Sequence, residues 1–217
     1  MSDAKNEILK RIRRGLQDVP EEETPEKYPV QREYRQKSDL GQQELVQLFA
    51  ERVGEYKAVV SKIEQASLAE KIAESCRSQG VKQLVVPPEF PKKWLPGEPD
   101  LLDDGSKRLT KSELDASDGV ISTCRLAVAE TGTIVLDGGA GQGRRALSLV
   151  PDYHLCIIEA NQIVGSVPEA FSQLAETVRK SGPPVTFISG PSATSDIELN
   201  RVEGVHGPRR LEIIIAI

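Results

Sequence analysis

The chain has 217 residues, with 28 Lys and Arg against 33 Asp and Glu, so its formal net charge at pH 7 is −5. This length suits one sizeable domain with a short extension. The hydrophobic share of 38%, of which aromatic residues supply only 4%, allows a core of Val, Ile, Leu and Ala. The acidic balance argues against broad nucleic-acid binding, which needs a basic surface. No apolar run approaches the ~20 residues of a membrane span.

Three cysteines, Cys76, Cys124 and Cys156, lie far apart in the sequence, and none belongs to a Cys-x-x-Cys pair. This spacing argues against a zinc or iron–sulfur site built by this chain alone, and we expect no metal ligands in it. An odd number of scattered cysteines is typical of a reducing compartment. Residues 1–5 lack the apolar core of a signal peptide, which favours a cytoplasmic location.

Two regions are predicted at the start of the chain. A first helix is expected to begin at Ser2 or Asp3. The acidic, proline-bounded segment Pro20–Pro29 indicates a linker, because it has little apolar surface to bury. We therefore divide the chain into residues 1–30, an N-terminal helix and acidic linker, and residues 31–217, the main domain.

The main domain alternates between helical and strand-like apolar patterns. Residues 57–86 follow a strand–helix–strand order, which predicts a right-handed parallel crossover. The last strand is too apolar for an exposed edge, so we expect it inside the sheet. The predicted fold class is α/β, a parallel-rich sheet flanked by helices, with an N-terminal helical extension. The predicted elements are helices at 38–53, 67–78 and 168–180, strands at 57–60, 82–86, 126–128, 134–136, 155–159, 185–188 and 211–217, and an irregular segment at 90–105.

Four polar, glycine-bearing segments interrupt the apolar runs of the last third: residues 129–133, 138–145, 190–196 and 204–209. They offer exposed backbone N–H groups, hydroxyls and nearby cations, which are the groups that bind an anion. Because α/β proteins place their sites in loops at strand ends, we expect the four segments to converge at one edge of the sheet.

The first segment contains Glu130, Thr131, Gly132 and Thr133 between two apolar strands. One interpretation is a plain hairpin whose turn uses a positive φ at Gly132. The other is a cleft in which Glu130 acts as a general base or nucleophile, with Thr131, Gly132 and Thr133 binding the ligand.

The second segment is rich in glycine and ends in two arginines. Such a loop lets its backbone approach a ligand closely, and guanidinium groups bind carboxylate or phosphate in a bidentate manner. The Gly-Lys-Ser/Thr ending of a P-loop is missing. The alternative is a flexible surface loop. The candidate ligand-binding residues here are Gly139, Gly141, Gly143, Arg144 and Arg145.

The third and fourth segments add hydroxyls and a histidine. Ser192, Thr194 and Asp196 are expected either to cap a helix N-terminus or to hold an anion there. His206, next to glycines, is the candidate catalytic histidine, and Arg209 close by in the sequence is a further candidate ligand-binding residue. His154 lies at the mouth of an apolar strand and is predicted to be structural.

Together these segments resemble the LUD domain family, and more narrowly its lactate utilization proteins. The resemblance is dense over residues 119–217 and looser upstream. It rests on four motifs in order: Ala-Glu-Thr-Gly-Thr-Ile-Val-Leu from Ala129, Gly-Gln-Gly-Arg-Arg from Gly141, Gly-Pro-Ser-Ala-Thr-Ser-Asp-Ile-Glu from Gly190, and Gly-Val-His-Gly-Pro from Gly204.

The resemblance implies a fold similar to the CoA-transferase and ribose-5-phosphate isomerase group. It also implies a role in the oxidation of L-lactate to pyruvate, alongside partner proteins that carry iron–sulfur clusters, with no cofactor in this chain. It carries over no established catalytic residue. A small carboxylate is the expected ligand, and neither nucleic acid nor a membrane is an expected partner.

Two classes of function stay open at this point. The first is an assisting subunit of lactate oxidation that binds a small carboxylate or a partner. The second is a CoA-transferase-like enzyme in which Glu130 acts like the nucleophilic glutamate of the Glu-x-Gly motif.

Overall fold

The structure is a computed structural model that describes residues 2–20, 33–179, 184–194, 202–203 and 206–217. It divides into two compact units, residues 1–35 and 36–217. The first unit contains helix α1 (Ser2–Gly15), at the predicted position. All but the first residue of the predicted linker at 20–29 lies outside the described residues.

The second unit carries the remaining elements. The described helices are α2 (Gln42–Glu55), α3 (Leu68–Ser78), α4 (Lys111–Ala116) and α5 (Val167–Arg179). The described strands are β1 (Val59–Ile63), β2 (Gln83–Val86), β3 (Asp100–Asp103), β4 (Gly119–Thr123), β5 (Leu126–Val128), β6 (Thr133–Leu136), β7 (Tyr153–Glu159), β8 (Ile163–Val164), β9 (Thr186–Ile188), β10 (Ala193–Thr194), β11 (Val202–Glu203) and β12 (Arg210–Ala216).

A parallel six-stranded sheet in the order β1-β12-β7-β4-β2-β3 forms the centre of this unit. The α/β class and the interior position of the last strand are therefore confirmed. The predicted crossover is only partly correct, because β12, β7 and β4 separate β1 from β2. None of the described helices is both long and apolar enough to cross a membrane.

A second sheet, in the order β8-β5-β6-β9, was not predicted as a separate layer. β6 is antiparallel to both β5 and β9, while β8 runs parallel to β5. The turn between β5 and β6 is thus a hairpin. β10 and β11 form a small antiparallel pair of their own.

The sheets and helices stack as layers with four apolar clusters, one of which joins Leu114 of α4 to Val85 and Val120 of the parallel sheet. Helix α3 packs on one face of the parallel sheet through residues such as Leu68 and Ile72. The opposite face of that sheet packs against α2 and the second sheet, for instance through Ile213 and Ile134. Helix α5 covers the other face of the second sheet. Because β5 and β6 are covered on both faces, all their residues are buried and all except Thr133 are apolar.

Several of the described elements were not predicted from the sequence, among them β3, α4 and β4. β3 lies in the segment predicted to be irregular, and α4 and β4 lie in a region to which no element was assigned. β4 begins at Gly119, where the ring of Tyr153 leaves no room for a side chain: an added Cβ would lie 2.8 Å from Cδ1 of Tyr153. The glycine that weakens the strand pattern is therefore required by packing between neighbouring strands.

A buried carboxylate links β12, β7 and α3. Ser75 Oγ donates to Glu212 Oε1 at 2.5 Å, and the Tyr153 hydroxyl donates to Glu212 Oε2 at 2.9 Å. Burial and the nearby Glu212 charge raise the pKa of the Tyr153 hydroxyl well above its ordinary value, so it stays protonated and a donor. The two donors compensate the cost of burying this carboxylate.

Tyr153→Phe is expected to lower the free energy of unfolding by about 1–3 kcal/mol, because it leaves one oxygen of a buried carboxylate without its donor. Urea unfolding followed by circular dichroism measures the change. Tyr34→Phe, at a residue that is 52% exposed, is the control and is expected to change stability by less than about 0.5 kcal/mol. Equal stability of both variants and the parent would contradict the role given to this hydrogen bond.

The β5–β6 turn packs tightly against α2. Gly132 has a φ of +59°, and an added Cβ would lie 2.8 Å from the Arg52 carbonyl carbon and 2.8 Å from the Val53 nitrogen. Backbone atoms of a helix cannot move aside as a flexible side chain can. Gly132 is therefore required both by its backbone conformation and by the close approach of α2.

Gly132→Ala is expected to destabilise the chain by more than about 2 kcal/mol, since the left-handed conformation alone costs an L-residue about 1–2 kcal/mol. Gly54→Ala is the matched control, because its Cβ would meet nothing within 4 Å and alanine favours a helix. Thermal unfolding of the two variants should shift the midpoint in opposite directions. A Gly132→Ala protein as stable as the parent would show that the turn does not pack as described.

Candidate functional site

A cavity of about 220 Å³ lies between the amino ends of β7 and β12, the loop from β6 to β7, and the loops that follow β9 and precede β12. We call it the Arg145 cavity. Its polar lining comes from different parts of the sequence, which the fold brings together. The lining residues are Arg145, Ser148, His154, Thr186, Phe187, Ile188, Ser189, Gly190, Pro191, Ser192, His206, Gly207, Pro208 and Leu211.

Arg145 contributes a positively charged side chain to the lining of this cavity. Its Nη1 donates to the backbone oxygen and the hydroxyl of Ser148, at 3.2 and 3.1 Å. Within the described residues Arg145 forms no ion pair, and none of the described residues lining the cavity is acidic. Among the described residues nothing compensates the charge of this guanidinium, so it keeps donors and a positive charge for an anion.

The other two candidate arginines have carboxylate partners. Arg144 binds Asp104 through Nε and Nη2, at 3.1 and 2.9 Å, and Nη2 also donates to the Leu109 oxygen. Arg209 Nε donates to Asp152 Oδ1 at 2.6 Å. Neither lines the Arg145 cavity. Arg144 holds the segment before α4 in place, and we assign it a structural role.

His154 forms part of the wall of the cavity and is buried, with 1% of its surface exposed. Its Nε2 lies 2.7 Å from Oγ of Ser122, which is also buried. Burial, and to a lesser extent the charge of Arg145, lower the pKa of the imidazole to about 4. The ring is therefore neutral at physiological pH.

The free energy of unfolding is expected to fall as the pH drops from about 6.5 towards 4, because in this range only the unfolded chain takes up the proton on His154.

Ser192 and His206 reach the same cavity from adjoining loops. Ser192 N donates to Pro208 O at 2.8 Å, and His206 N donates to Ser192 Oγ at 3.0 Å. No helix begins at Ser192 itself, because Ala193–Thr194 is a strand that pairs with β11; a helix start at 195–201 lies outside the described residues. The Thr194 side chain and Asp196 lie outside the described residues.

The hairpin segment lies beside the cavity rather than in its wall. The Thr131 and Thr133 hydroxyls lie 2.7 Å apart, and Thr133 Oγ1 lies 2.8 Å from Oγ of Ser189, which lines the cavity. The Glu130 side chain is exposed and forms no hydrogen bond or ion pair with a described residue. Its role as a nucleophile stays a prediction.

The three candidate glycines of the glycine-rich segment lie in three different surroundings. Gly139 lines a different cavity, and Gly143 lines a hollow of about 370 Å³ that also includes Arg144 and Arg145. Gly141 is buried, and its oxygen accepts from the Thr123 N–H at 2.8 Å. The segment is held by its own hydrogen bonds, because Gln142 Oε1 accepts from the backbone of Asp137 and Gly138, at 2.7 and 3.2 Å.

A second cavity of about 410 Å³ lies at the carboxyl ends of β4 and β7, and its lining includes Trp94, Arg125, Asp137 and Glu159. Arg125 lies 3.7 Å from Asp137, so its charge is compensated. This balance makes the second cavity a weaker anion site than the Arg145 cavity. Among the described residues, no group of His, Cys, Asp and Glu side chains is placed to hold a metal ion.

Several polar residues of the Arg145 cavity were not predicted from the sequence. Ser148 and Ser189 belong to no motif, and His154 was predicted to be structural. The one available signal was the position of His154, since a histidine at the start of an otherwise apolar strand must have a partner for its ring.

Comparisons with known proteins agree with this architecture. The sequence matches the LUD domain family over residues 41–216. It is 42% identical over 214 residues to "Lactate utilization protein C" of Deinococcus radiodurans, covering 99% of this chain and 96% of that protein. The protein of the same name from Shouchella clausii is 26% identical, covering 87% and 86%.

One solved structure supports the fold. The crystal structure of a DUF162 family protein from Deinococcus radiodurans superposes with a TM-score of 0.72 at 38% identity, covering 82% of this chain and 99% of that one. The family match spans most of the second unit, including its parallel sheet and the Arg145 cavity. The chain therefore belongs to the LUD domain family.

Proposed function

We propose that the protein takes part in lactate utilization and that the Arg145 cavity binds a small carboxylate, such as lactate or pyruvate. The observation that carries the proposal is the Arg145 guanidinium, which lines a cavity and forms no ion pair within the described residues. A cation in a partly enclosed polar site attracts an anion more strongly than one in open solvent.

The size and lining of the cavity favour a small ligand. A volume of about 220 Å³ corresponds to roughly seven water molecules at about 30 Å³ each. It lies below the about 300–1,000 Å³ of sites for drug-sized molecules. The hydroxyls of Ser148, Ser189 and Ser192 and the apolar side chain of Leu211 suit a short acid with one polar end and one apolar end.

The metabolic setting is proposed from the relatives. Those named lactate utilization protein C support a role in the same process for this chain. The oxidation of L-lactate to pyruvate is a redox reaction, and we assign electron transfer to partner proteins with iron–sulfur clusters, as the family resemblance implies. The free, buried state of Cys76, Cys124 and Cys156 supports a reducing, cytoplasmic setting.

Arg145→Lys is expected to weaken the binding of L-lactate and pyruvate about 5- to 30-fold, because lysine keeps the charge but loses the fork of donors. Isothermal titration calorimetry of the whole chain measures the dissociation constants. Arg209→Lys is the matched control, since Arg209 lies outside the cavity and faces Asp152. It is expected to bind like the parent.

Unchanged binding in Arg145→Lys, with a normally folded protein, would refute the carboxylate site. In that case the glycine-rich segment and its arginines are better interpreted as a docking surface for a partner protein.

A further inference from the structure

His154 is the buried polar group of the Arg145 cavity that carboxylate binding alone leaves unexplained. It is the second residue of β7, with Leu211 of β12 and Val120 of β4 opposite it in the parallel register. A histidine among such apolar neighbours is costly unless both ring nitrogens are satisfied.

Among the described residues, one of the two ring nitrogens has a hydrogen-bond partner and the other has none. Nε2 contacts Ser122 Oγ at 2.7 Å, while Nδ1 has no hydrogen-bond partner among the described residues. Since the ring lines the cavity, the remaining hydrogen bond of His154 is available to a bound molecule.

Arg145 and His154 line the same cavity. A guanidinium and a neutral imidazole in one cavity offer two kinds of hydrogen bond, one for an anion and one for an uncharged polar atom. A 2-hydroxy or 2-oxo acid has the matching pair, a carboxylate and an oxygen on the next carbon atom.

We propose that His154, oriented by Ser122, determines the specificity of the cavity by hydrogen-bonding the oxygen on carbon 2 of the bound acid. The ligand class is then 2-hydroxy and 2-oxo monocarboxylic acids. This inference rests on the proposed carboxylate site at Arg145 and adds a second recognition element to it.

The Ser122 hydroxyl explains how one ring serves both kinds of acid. A hydroxyl can donate or accept by rotating. When Ser122 donates to Nε2, Nδ1 carries the proton and donates to a keto oxygen. When Nε2 carries the proton, it donates a hydrogen bond to Ser122 Oγ, and Nδ1 then accepts a hydrogen bond from the substrate hydroxyl. Neither arrangement requires a charged imidazole.

The test compares L-lactate, pyruvate and propionate, which lacks the oxygen on carbon 2, by calorimetry on the whole chain. The parent is expected to bind lactate and pyruvate at least about ten-fold more tightly than propionate. The double variant Ser122→Ala/His154→Leu removes both partners together, so neither is left unpaired. It should bind all three acids with the affinity that the parent has for propionate.

Ser122→Ala alone keeps the ring and decides the question if the double variant does not fold. It should reduce the preference for lactate over propionate about 2- to 5-fold, with propionate binding unchanged. Ser61→Ala is the matched control: its hydroxyl is buried in β1 of the same sheet, without a hydrogen-bond partner in the described residues and outside the cavity lining. It should keep the parent's preference.

The outcomes separate this inference from the proposal beneath it. Equal affinity of the parent for lactate, pyruvate and propionate, or an unchanged preference in Ser122→Ala, would overturn the role of His154 and leave the carboxylate site standing. Failure of all three acids to bind the parent would overturn the carboxylate site and this inference with it.

Discussion

The pairing of β12 with β7 is the constraint on which the rest of the structure depends. The seven residues of β12 pair in parallel with the seven of β7. This register buries Glu212 on the face covered by α3, where Tyr153 and Ser75 satisfy it. On the opposite face it places Leu211 beside His154, and the two residues form part of the cavity wall. A slip of one residue would exchange the two faces of the strand. The Glu212 carboxylate would then face the apolar layer, and Leu211 would no longer lie beside His154 in the cavity wall.

The site lies where two sheets meet rather than at the carboxyl edge of the parallel sheet, where ligands of open α/β folds usually bind. Its loops follow β6 and β9, which belong to the second sheet, while its inner wall comes from the amino ends of β7 and β12. This junction explains the character of the cavity. The parallel sheet supplies a rigid, apolar wall with one neutral histidine, and the loops supply hydroxyls and the Arg145 charge.

The sequence predicted the α/β class because long apolar runs alternate with amphipathic helices, and it placed β12 inside the sheet because that strand has no polar face. It could not separate the two sheets, because strands covered on both faces, such as Leu126–Val128 and Tyr153–Glu159, have the same apolar pattern in either layer. The sequence also could not show which of the arginines is available to bind a ligand. Arg144 and Arg145 are neighbours of one type, and only the fold shows that Asp104 binds the first. His154 was undervalued for a related reason, since a buried histidine and a cavity-lining histidine look alike in sequence.

The central claim is that Arg145 and His154 together form a site for small 2-hydroxy or 2-oxo acids. The most direct measurement is a crystal structure of the full chain grown with L-lactate. The account predicts density for the acid in the Arg145 cavity, with its carboxylate within hydrogen-bonding distance of the Arg145 guanidinium and its hydroxyl at Nδ1 of His154. A cavity that holds only water at saturating lactate, or an acid bound elsewhere on the chain, would contradict the account.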